Sequence, residues 1–233
     1  MIGTLLNSAT VLIGGSLGLI MGSRIPDKSI KTVIAGLGLF TLAYGLKLFL
    51  DSQNVIITLL SLLMGGLIGE WADIEFRLEK FGGSLKKRFA DNRAENEQNF
   101  VNGFLTASLV FCIGPLTILG SIQDGLEGDY SLLAIKSVLD GFAALAFAST
   151  MGIGVLFSII VILIYQGTLT FLAAQIQAFV TDQMIAEMTA VGGVLLVGIA
   201  ISSLLEIKPI RVGNFLPALF LAPLLVRLFA NII

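Results

Sequence analysis

The sequence predicts an all-α fold, a polytopic transmembrane helical bundle of about eight spans, and three observations lead to this class. Of the 233 residues, 56% are hydrophobic and only 13% are charged, whereas soluble domains are about half apolar and about a quarter charged. The apolar residues come in long blocks, several of which approach the ~20 residues that a helix needs to cross a bilayer. No ~10-residue segment alternates between apolar and polar residues as a membrane strand would.

The apolar blocks give eight spans in chain order: 2–22, 30–50, 54–70, 99–120, 132–149, 152–172, 187–206 and 213–231. The first is interpreted as a retained helix and not a cleavable signal, because no basic residue precedes its apolar run and no small-residue cleavage site follows it. The third and eighth spans are short, and the sixth extends beyond the limits given if the apolar run around 150–180 is one helix.

Loop charges predict the orientation. Three loops carry Lys and Arg residues: 23–31, 71–98 and 207–212. Three others carry none: 51–53, 121–131 and 173–186. Because positively charged loops stay in the cytoplasm, eight spans with both termini outside place every basic loop inside.

The longest polar stretch, 71–98, is expected to be a cytoplasmic amphipathic connector. Trp71, Ile74, Leu78 and Phe81 follow helical spacing, which is typical of a helix that lies on a membrane surface. A solvated connector with interfacial anchors explains this pattern, and a regulatory or partner-binding segment is the alternative.

An internal repeat is suggested by three pairs of similar segments in the same order: GTLLNS (3–8) with GVLFSI (154–159), DKSIKTVIAGLG (27–38) with DQMIAEMTAVGG (182–193), and NVIITLLSLL (54–63) with NFLPALFLAP (214–223). Five crossings separate the first span from the sixth, so spans 1–3 and 6–8 would have inverted topology, as in many secondary transporters. The alternative is chance similarity among apolar helices.

This repeat divides the single transmembrane domain, 1–233, into four parts. They are a first three-helix repeat (1–70), the connector (71–98), a broken helix with an Asp-bearing helix (99–149) and a second repeat (150–233).

The first candidate site element is the Gly114-Pro115 step in the fourth span. Proline removes a helical hydrogen bond and clashes with the preceding turn, so the helix should break or kink there. Backbone freed at membrane depth is tolerated where it faces protein or a water-filled cavity, and a half-helix end can offer its dipole to a ligand. The polar or small residues that follow the break are Thr117, Gly120, Ser121 and Asp124. A proline kink followed by an ordinary polar loop is the alternative.

Asp140 is the stronger candidate for a site residue. It lies nine residues into the fifth span, roughly 13 Å along a helix, where a charge costs about 2.5–3.5 kcal/mol. Lys136 lies on the same helical face, four residues earlier. A coupling or binding site for an ion or small solute is predicted there, whereas a self-neutralising Lys136–Asp140 pair or a protonated structural Asp140 is the alternative.

Other polar residues inside spans are Asn7 and Gln166, which either line a path or join helices by hydrogen bonds. The faces Gly14-Gly18-Gly22 and Gly65-Gly69 are close-packing surfaces, within one protomer or between the protomers of a homo-oligomer.

Several other classes of function find no support. The chain has no histidine and one cysteine, no P-loop, no G-x-S-x-G motif and no metal-ligand cluster, so neither an enzyme nor a cofactor or metal site is expected. A net charge of −2 does not suggest nucleic-acid binding.

Four segments resemble a known family: GPLTILGSIQDGLEGD, KSVLDGFAALAFAS, QGTLT and IKPIRVGNFLPAL. Together they resemble the YqgA/YdfK-type bacterial membrane proteins, a family of about this length and of unassigned function. The resemblance covers the whole chain and implies a protein of the bacterial inner membrane. It implies no substrate and no catalytic residue.

The function predicted from these residues is a small secondary transporter that works by alternating access. Its partners would be the lipid bilayer and a small solute or ion, and transport would be coupled to a cation through Asp140. A non-transporting membrane scaffold or signalling component, or a passive channel, is the alternative.

Overall fold

The structure of this protein, a computed structural model, describes residues 1–22, 27–77, 80, 84, 97–112 and 115–229. Every regular element within these residues is helical, so the predicted all-α fold is confirmed. The chain forms two compact units: unit 1 comprises 1–34 with 80–179, and unit 2 comprises 35–79 with 180–233.

The described α-helices are α1 (Ile2–Gly22), α2 (Asp27–Leu50), α3 (Val55–Trp71), α4 (Glu97–Cys112), α5 (Pro115–Leu126), α6 (Ser131–Met151), α7 (Ser158–Phe171), α8 (Ala173–Phe179), α9 (Asp182–Ile199) and α10 (Pro217–Phe229). Short 3-10 segments, Ile153–Phe157 and Val212–Phe215, precede α7 and α10. A π-helical turn, Ala200–Leu204, continues α9.

Five helical segments are long and apolar enough to cross a membrane: Ile2–Gly22, Ser131–Met151, Gly154–Phe171, Asp182–Leu204 and Val212–Phe229. Residues 99–112 and 116–126 make a sixth candidate as a pair bent by 60°, and Ile34–Leu50 and Val55–Trp71 are shorter apolar helices. These segments coincide with the eight predicted spans, and the number that cross the membrane stays a prediction.

Local signals explain several helix boundaries. Asn54 caps α3 by accepting from the N–H of Ile56 at 3.1 Å, and Thr181 caps α9 by accepting from the N–H of Met184 at 3.2 Å. Both satisfy N–H groups that a helix start leaves free. At the end of α6, Gly152 has a φ of +80°, a conformation that glycine adopts without steric cost.

Unit 1 is organised by close packing of α1 against α6. A Cβ atom at Gly14 would lie 2.1 Å from the carbonyl oxygen of Gly141, and one at Gly18 would lie 2.3 Å from that of Leu145. The two helices run parallel with their backbones in contact. The predicted glycine face of α1 therefore packs within the protomer, and it brings the polar residues of α1 close to those of α6.

Unit 2 contains the second predicted glycine face. A Cβ atom at Gly65 would lie 2.4 Å from the backbone nitrogen of Ala218. At the other end of α3, Ile57 is buried in one apolar cluster with Leu225 and Val226. The helices α3 and α10 are therefore antiparallel, because early residues of α3 meet late residues of α10.

The connector 71–98 lies for the most part outside the described residues. Trp71 is the last residue of α3 and is 89% exposed, and residues 74–77 are helical. Leu78 and Phe81, on which the prediction of an amphipathic helix also depends, lie outside the described residues.

Candidate functional site

A buried polar cluster lies in unit 1, where α1, α6 and α7 meet. Its members are Asn7 of α1, Lys136 and Asp140 of α6, and Gln166 of α7. Each is at most 6% exposed. The structure thus brings four of the predicted site residues together, although up to 159 positions separate those that bond to one another.

Asp140 is the centre of this cluster. Its Oδ2 atom forms an ion pair with the Nζ of Lys136 and accepts a hydrogen bond of 2.9 Å from Asn7 Nδ2. The same Asn7 nitrogen donates to Gln166 Oε1 at 3.1 Å. The amide of Asn7 therefore lies between two oxygen acceptors, one on α6 and one on α7.

Two polar atoms of the cluster are buried without a hydrogen-bond partner in the described part of the chain. They are Asn7 Oδ1 and Gln166 Nε2, an acceptor and a donor. A buried polar group left unpaired costs about 1–3 kcal/mol, so such groups in a folded protein call for an explanation such as a bound water, ion or ligand.

Polar contacts continue from the cluster toward the start of α1. The hydroxyl of Thr170 donates to the carbonyl of Gln166 at 2.9 Å and lies 3.4 Å from the hydroxyl of Thr4. One residue before Thr4, the backbone N–H of Gly3 donates to Asp124 at 3.1 Å. A row of buried polar groups thus follows α1 from its first turn to Asn7.

Asp124, a predicted site residue, lies at the far end of this row and not beside Asp140. Its carboxylate is 2.8 Å from the amino group of Met1 and also accepts from Gly3. Asp124 therefore holds the first turn of α1, where the N–H groups of a helix start favour a carboxylate.

The remaining residues around the predicted break have separate roles. Gly114 lies outside the described residues, and Pro115 is the first residue of α5. The hydroxyl of Thr117 donates to the carbonyl of Phe111 at 3.3 Å, across the bend between α4 and α5. Gly120 packs against Leu133, since a Cβ atom there would lie 2.9 Å from that side chain.

Ser121 is fully buried, and its hydroxyl has no hydrogen-bond partner among the residues described. No hydrogen bond links Ser121 or Thr117 to Asp140 in the described structure. Thr117 and Ser121 of α5 are therefore separate from the Asp140 cluster.

The acidic loop before α6 is structural. Asp129 accepts from the hydroxyl of Ser131 at 2.5 Å, from its backbone N–H at 2.9 Å and from Gln123 Nε2 at 2.9 Å. The hydrogen bonds from Ser131, first from the hydroxyl and then from the backbone, hold the pKa of Asp129 below its usual range. This carboxylate fixes the entry into α6.

Sequence reasoning missed Glu187, the most completely paired buried carboxylate in unit 2. It is 0% exposed. Oε1 accepts from the backbone N–H groups of Gln53 and Asn54 at 2.8 and 2.7 Å, and Oε2 accepts from the hydroxyls of Ser52 and Thr58 at 2.9 and 2.7 Å. Glu187 thus ties α9 to the connection between α2 and α3.

A signal for Glu187 was present in the sequence. It is the one charged residue in the run from Met184 to Leu205, and it stands at the start of the predicted span 187–206. The donors that it binds are 129–135 positions away, and nothing in the local pattern indicates them.

A second polar contact in unit 2 joins the end of α3 to the segment before α10. Asn214 donates to Glu70 Oε2 at 2.6 Å and accepts from the N–H of Glu75 at 2.7 Å. The N–H of Gly213 donates to Glu75 at 2.5 Å. Nearby, a Cβ atom at Gly69 would lie 1.8 Å from the carbonyl oxygen of Asn214. This contact explains why a glycine and an asparagine face each other there.

Comparison with known proteins places this chain in a family. A family model described as protein of unknown function (DUF554) matches residues 2–227. The chain is 31% identical over 230 residues to the uncharacterized membrane protein YdfK of Bacillus subtilis, covering 97% of this chain and 96% of the relative. It is 34% identical over 222 residues to the uncharacterized protein YqgA of Escherichia coli, covering 95% and 94%. No solved structure matches the chain significantly.

Proposed function

This chain belongs to the DUF554 family of membrane proteins, and on that premise we propose that it is a small secondary transporter. It moves a small solute or ion across the bacterial inner membrane by alternating access, and Asp140 couples transport to a cation. The orientation that follows from the loop charges has both termini outside.

The observation that carries this proposal is the buried cluster around Asp140. Ionisable groups within apolar spans are costly, and they are typical of ion and substrate pathways. Stability alone does not account for the pair, because well-packed apolar residues often replace a buried ion pair without loss of stability. The unpaired Asn7 Oδ1 and Gln166 Nε2 supply further polar groups toward which a ligand can be oriented.

Helix directions within each unit support the proposed inverted repeat. In unit 1, contacts of Asn7 with Gln166 and of Thr4 with Thr170 show that α1 and the helix paired with it in the repeat, α7, are antiparallel. Repeat partners related by an axis in the membrane plane must run in opposite directions, and these two helices do so.

In unit 2 the other two repeat pairs have the same relation. The helices α3 and α10 are antiparallel, as described above. For α2 and α9, a Cβ atom at Gly45 would lie 2.5 Å from the carbonyl of Gly193, and one at Gly193 would lie 2.5 Å from that of Gly45. A Cβ atom at Gly38 would lie 3.2 Å from Leu204, so earlier residues of α2 meet later residues beyond α9, and the two helices are antiparallel.

The proposal is tested first by ligand binding and then by flux. Purified protein is screened by thermal denaturation against inorganic ions and small metabolites, in parallel with Asp140→Asn. This variant keeps an oxygen that accepts from Asn7 but loses the charge. We expect a ligand that raises the melting temperature of the wild type and not of Asp140→Asn. Asp129→Asn, which changes a loop carboxylate, is the matched control and should respond like the wild type.

A ligand found in this way is then measured in proteoliposomes. Uptake should saturate, should be accelerated by unlabelled ligand on the opposite side, and should fall at least tenfold in Asp140→Asn. Binding with no flux would favour the scaffold or signalling alternative. Flux that neither saturates nor is accelerated by unlabelled ligand on the opposite side would indicate a passive channel.

A further inference from the structure

We propose that the position at Asp140 is a binding site for a monovalent inorganic cation, and that the ammonium group of Lys136 occupies this position when no ion is bound. The inference rests on the proposed function, because it specifies the coupling ion of the same site. It also assigns Lys136 a role as an internal competitor that must leave when the ion enters.

The charge of the Asp140 cluster determines which class of ion it can bind. Asp140 is the one carboxylate in the cluster, and its other neighbours are the neutral amides of Asn7 and Gln166. Within the described residues, no group of three or more His, Cys, Asp or Glu side chains is placed to hold a metal ion. A single positive charge neutralises this site, whereas a divalent ion would leave an uncompensated charge in an apolar interior.

The oxygen atoms around Asn7 are arranged for such an ion. Its Nδ2 lies 2.9 Å from Asp140 Oδ2 and 3.1 Å from Gln166 Oε1. The two ends of an amide have nearly the same shape, so rotation of this amide by half a turn replaces the central nitrogen with an oxygen. The Asn7 oxygen then adjoins both the Asp140 and the Gln166 oxygen, and oxygen ligands suit hard cations.

The unpaired Oδ1 atom of Asn7 is consistent with this rotation. In the ion-free arrangement, Asn7 donates to both neighbouring oxygens, which leaves its own Oδ1 without a partner. In the rotated arrangement, that oxygen binds the cation. The rotation exchanges an internal hydrogen-bond donor for a ligand oxygen and requires no movement of α1.

Lys136 lies close to the exposed start of α6. It lies five residues after Ser131, the first residue of α6, which is about 8 Å of helix rise. Ser131 and the preceding Tyr130 are exposed. A long lysine stem lets its ammonium group reach a polar boundary while the stem stays in apolar surroundings.

The described titratable groups near the pair leave the charge balance unchanged. Cys112 of α4 interacts electrostatically with both Lys136 and Asp140, and Tyr165 of α7 interacts with Cys112. Both groups are neutral in their protonated forms. The site is therefore neutral with Lys136 in place, and it is neutral again when a monovalent cation replaces the ammonium.

The test removes the internal competitor. Lys136→Met keeps the length of the stem and deletes its charge, so Asp140 is left without a cation. We expect this variant to be markedly less stable in choline chloride than in sodium, potassium or lithium chloride at equal ionic strength and constant pH. At least one of these ions should raise its melting temperature with a half-maximal concentration at least tenfold below that of the wild type.

Matched variants separate the cation effect from general salt effects. Lys136→Met/Asp140→Asn has no charge at the site and should melt at the same temperature in all four salts. Should Lys136→Met not fold in any salt, Asn7→Asp decides the question. It places a second carboxylate beside Asp140 and should be stabilised by the same cations more strongly than the wild type, whereas Asn7→Leu should lose the response.

Equal stability of Lys136→Met in all four salts would overturn the inference. If Lys136→Met does not fold, an Asn7→Asp variant that is equally stable in choline chloride and in the other three salts would also overturn it. A different result would refute the proposed transport function. Cation binding without flux refutes transport and leaves the cation site standing. Saturable uptake of a solute by a protein with no cation response refutes the cation site and the cation coupling, and leaves transport standing.

Discussion

Replacing Glu187 with alanine should lower the free energy of unfolding by roughly 3–5 kcal/mol, since a buried group left without its partner costs ~1–3 kcal/mol. The substitution removes the acceptor for two backbone N–H groups, of Gln53 and Asn54, and for two hydroxyls, of Ser52 and Thr58. All four would be left without the carboxylate that now binds them. Thermal denaturation of the purified protein measures the effect.

The matched control is Glu187→Gln. Its remaining oxygen still accepts from both backbone N–H groups, and its new NH2 group can donate to the hydroxyls of Ser52 and Thr58, which also accept hydrogen bonds. We therefore expect a loss of about 1 kcal/mol, the size of an ordinary hydrogen-bond change. Equal losses for the alanine and glutamine variants would show that the hydrogen bonds to this side chain do not stabilise unit 2.

Gly14→Ala should destabilise the protein by about 2–3 kcal/mol, in the upper part of the range for overpacked sites. The added methyl group would lie 2.1 Å from the carbonyl oxygen of Gly141. That oxygen belongs to helix backbone and cannot move independently, so α1 and α6 must separate. The separation also draws Asn7 away from Asp140, and we expect any ligand response of the Asp140 cluster to weaken.

The same substitution at Gly36 is the control, because a Cβ atom there has nothing within 4 Å. Alanine is favoured over glycine in a helix by roughly 0.5–1 kcal/mol, so Gly36→Ala should be neutral or slightly stabilising. The comparison uses melting temperatures of both variants under one set of conditions. Similar melting temperatures for Gly14→Ala and Gly36→Ala would mean that the close approach of α1 to α6 does not limit stability.

Several features of the fold were predictable from sequence because their causes are local. Hydropathy over ~20 residues identifies helices suited to an apolar environment, and every predicted span overlaps described helices, the span 99–120 two of them. Glycines spaced at i and i+4 predicted close contact along α1, because they share one face. The bend between α4 and α5 was predicted from Gly114-Pro115, since proline interrupts helical hydrogen bonding wherever it falls.

The site was predictable residue by residue but not as an arrangement. Asp140, Lys136, Asn7 and Gln166 each stand out as polar groups in apolar spans, yet the sequence gives no reason to place Asn7 between Asp140 and Gln166. Asp124, which follows the predicted break, holds the first turn of α1, a contact that the sequence does not indicate.

Sequence alone thus determined the class of this protein, its helices and the identity of its buried polar residues. Hydropathy and helical period depend on neighbouring residues, and they can be recognised in short windows. Only the tertiary structure decided which buried groups are paired. Asn7 lies 133 positions from Asp140, and the donors to Glu187 lie up to 135 positions from it. The meeting of Asn7 and Asp140 depends on how closely glycine lets α1 approach α6. The unpaired Oδ1 of Asn7, on which the proposed cation site depends, became visible only at that level.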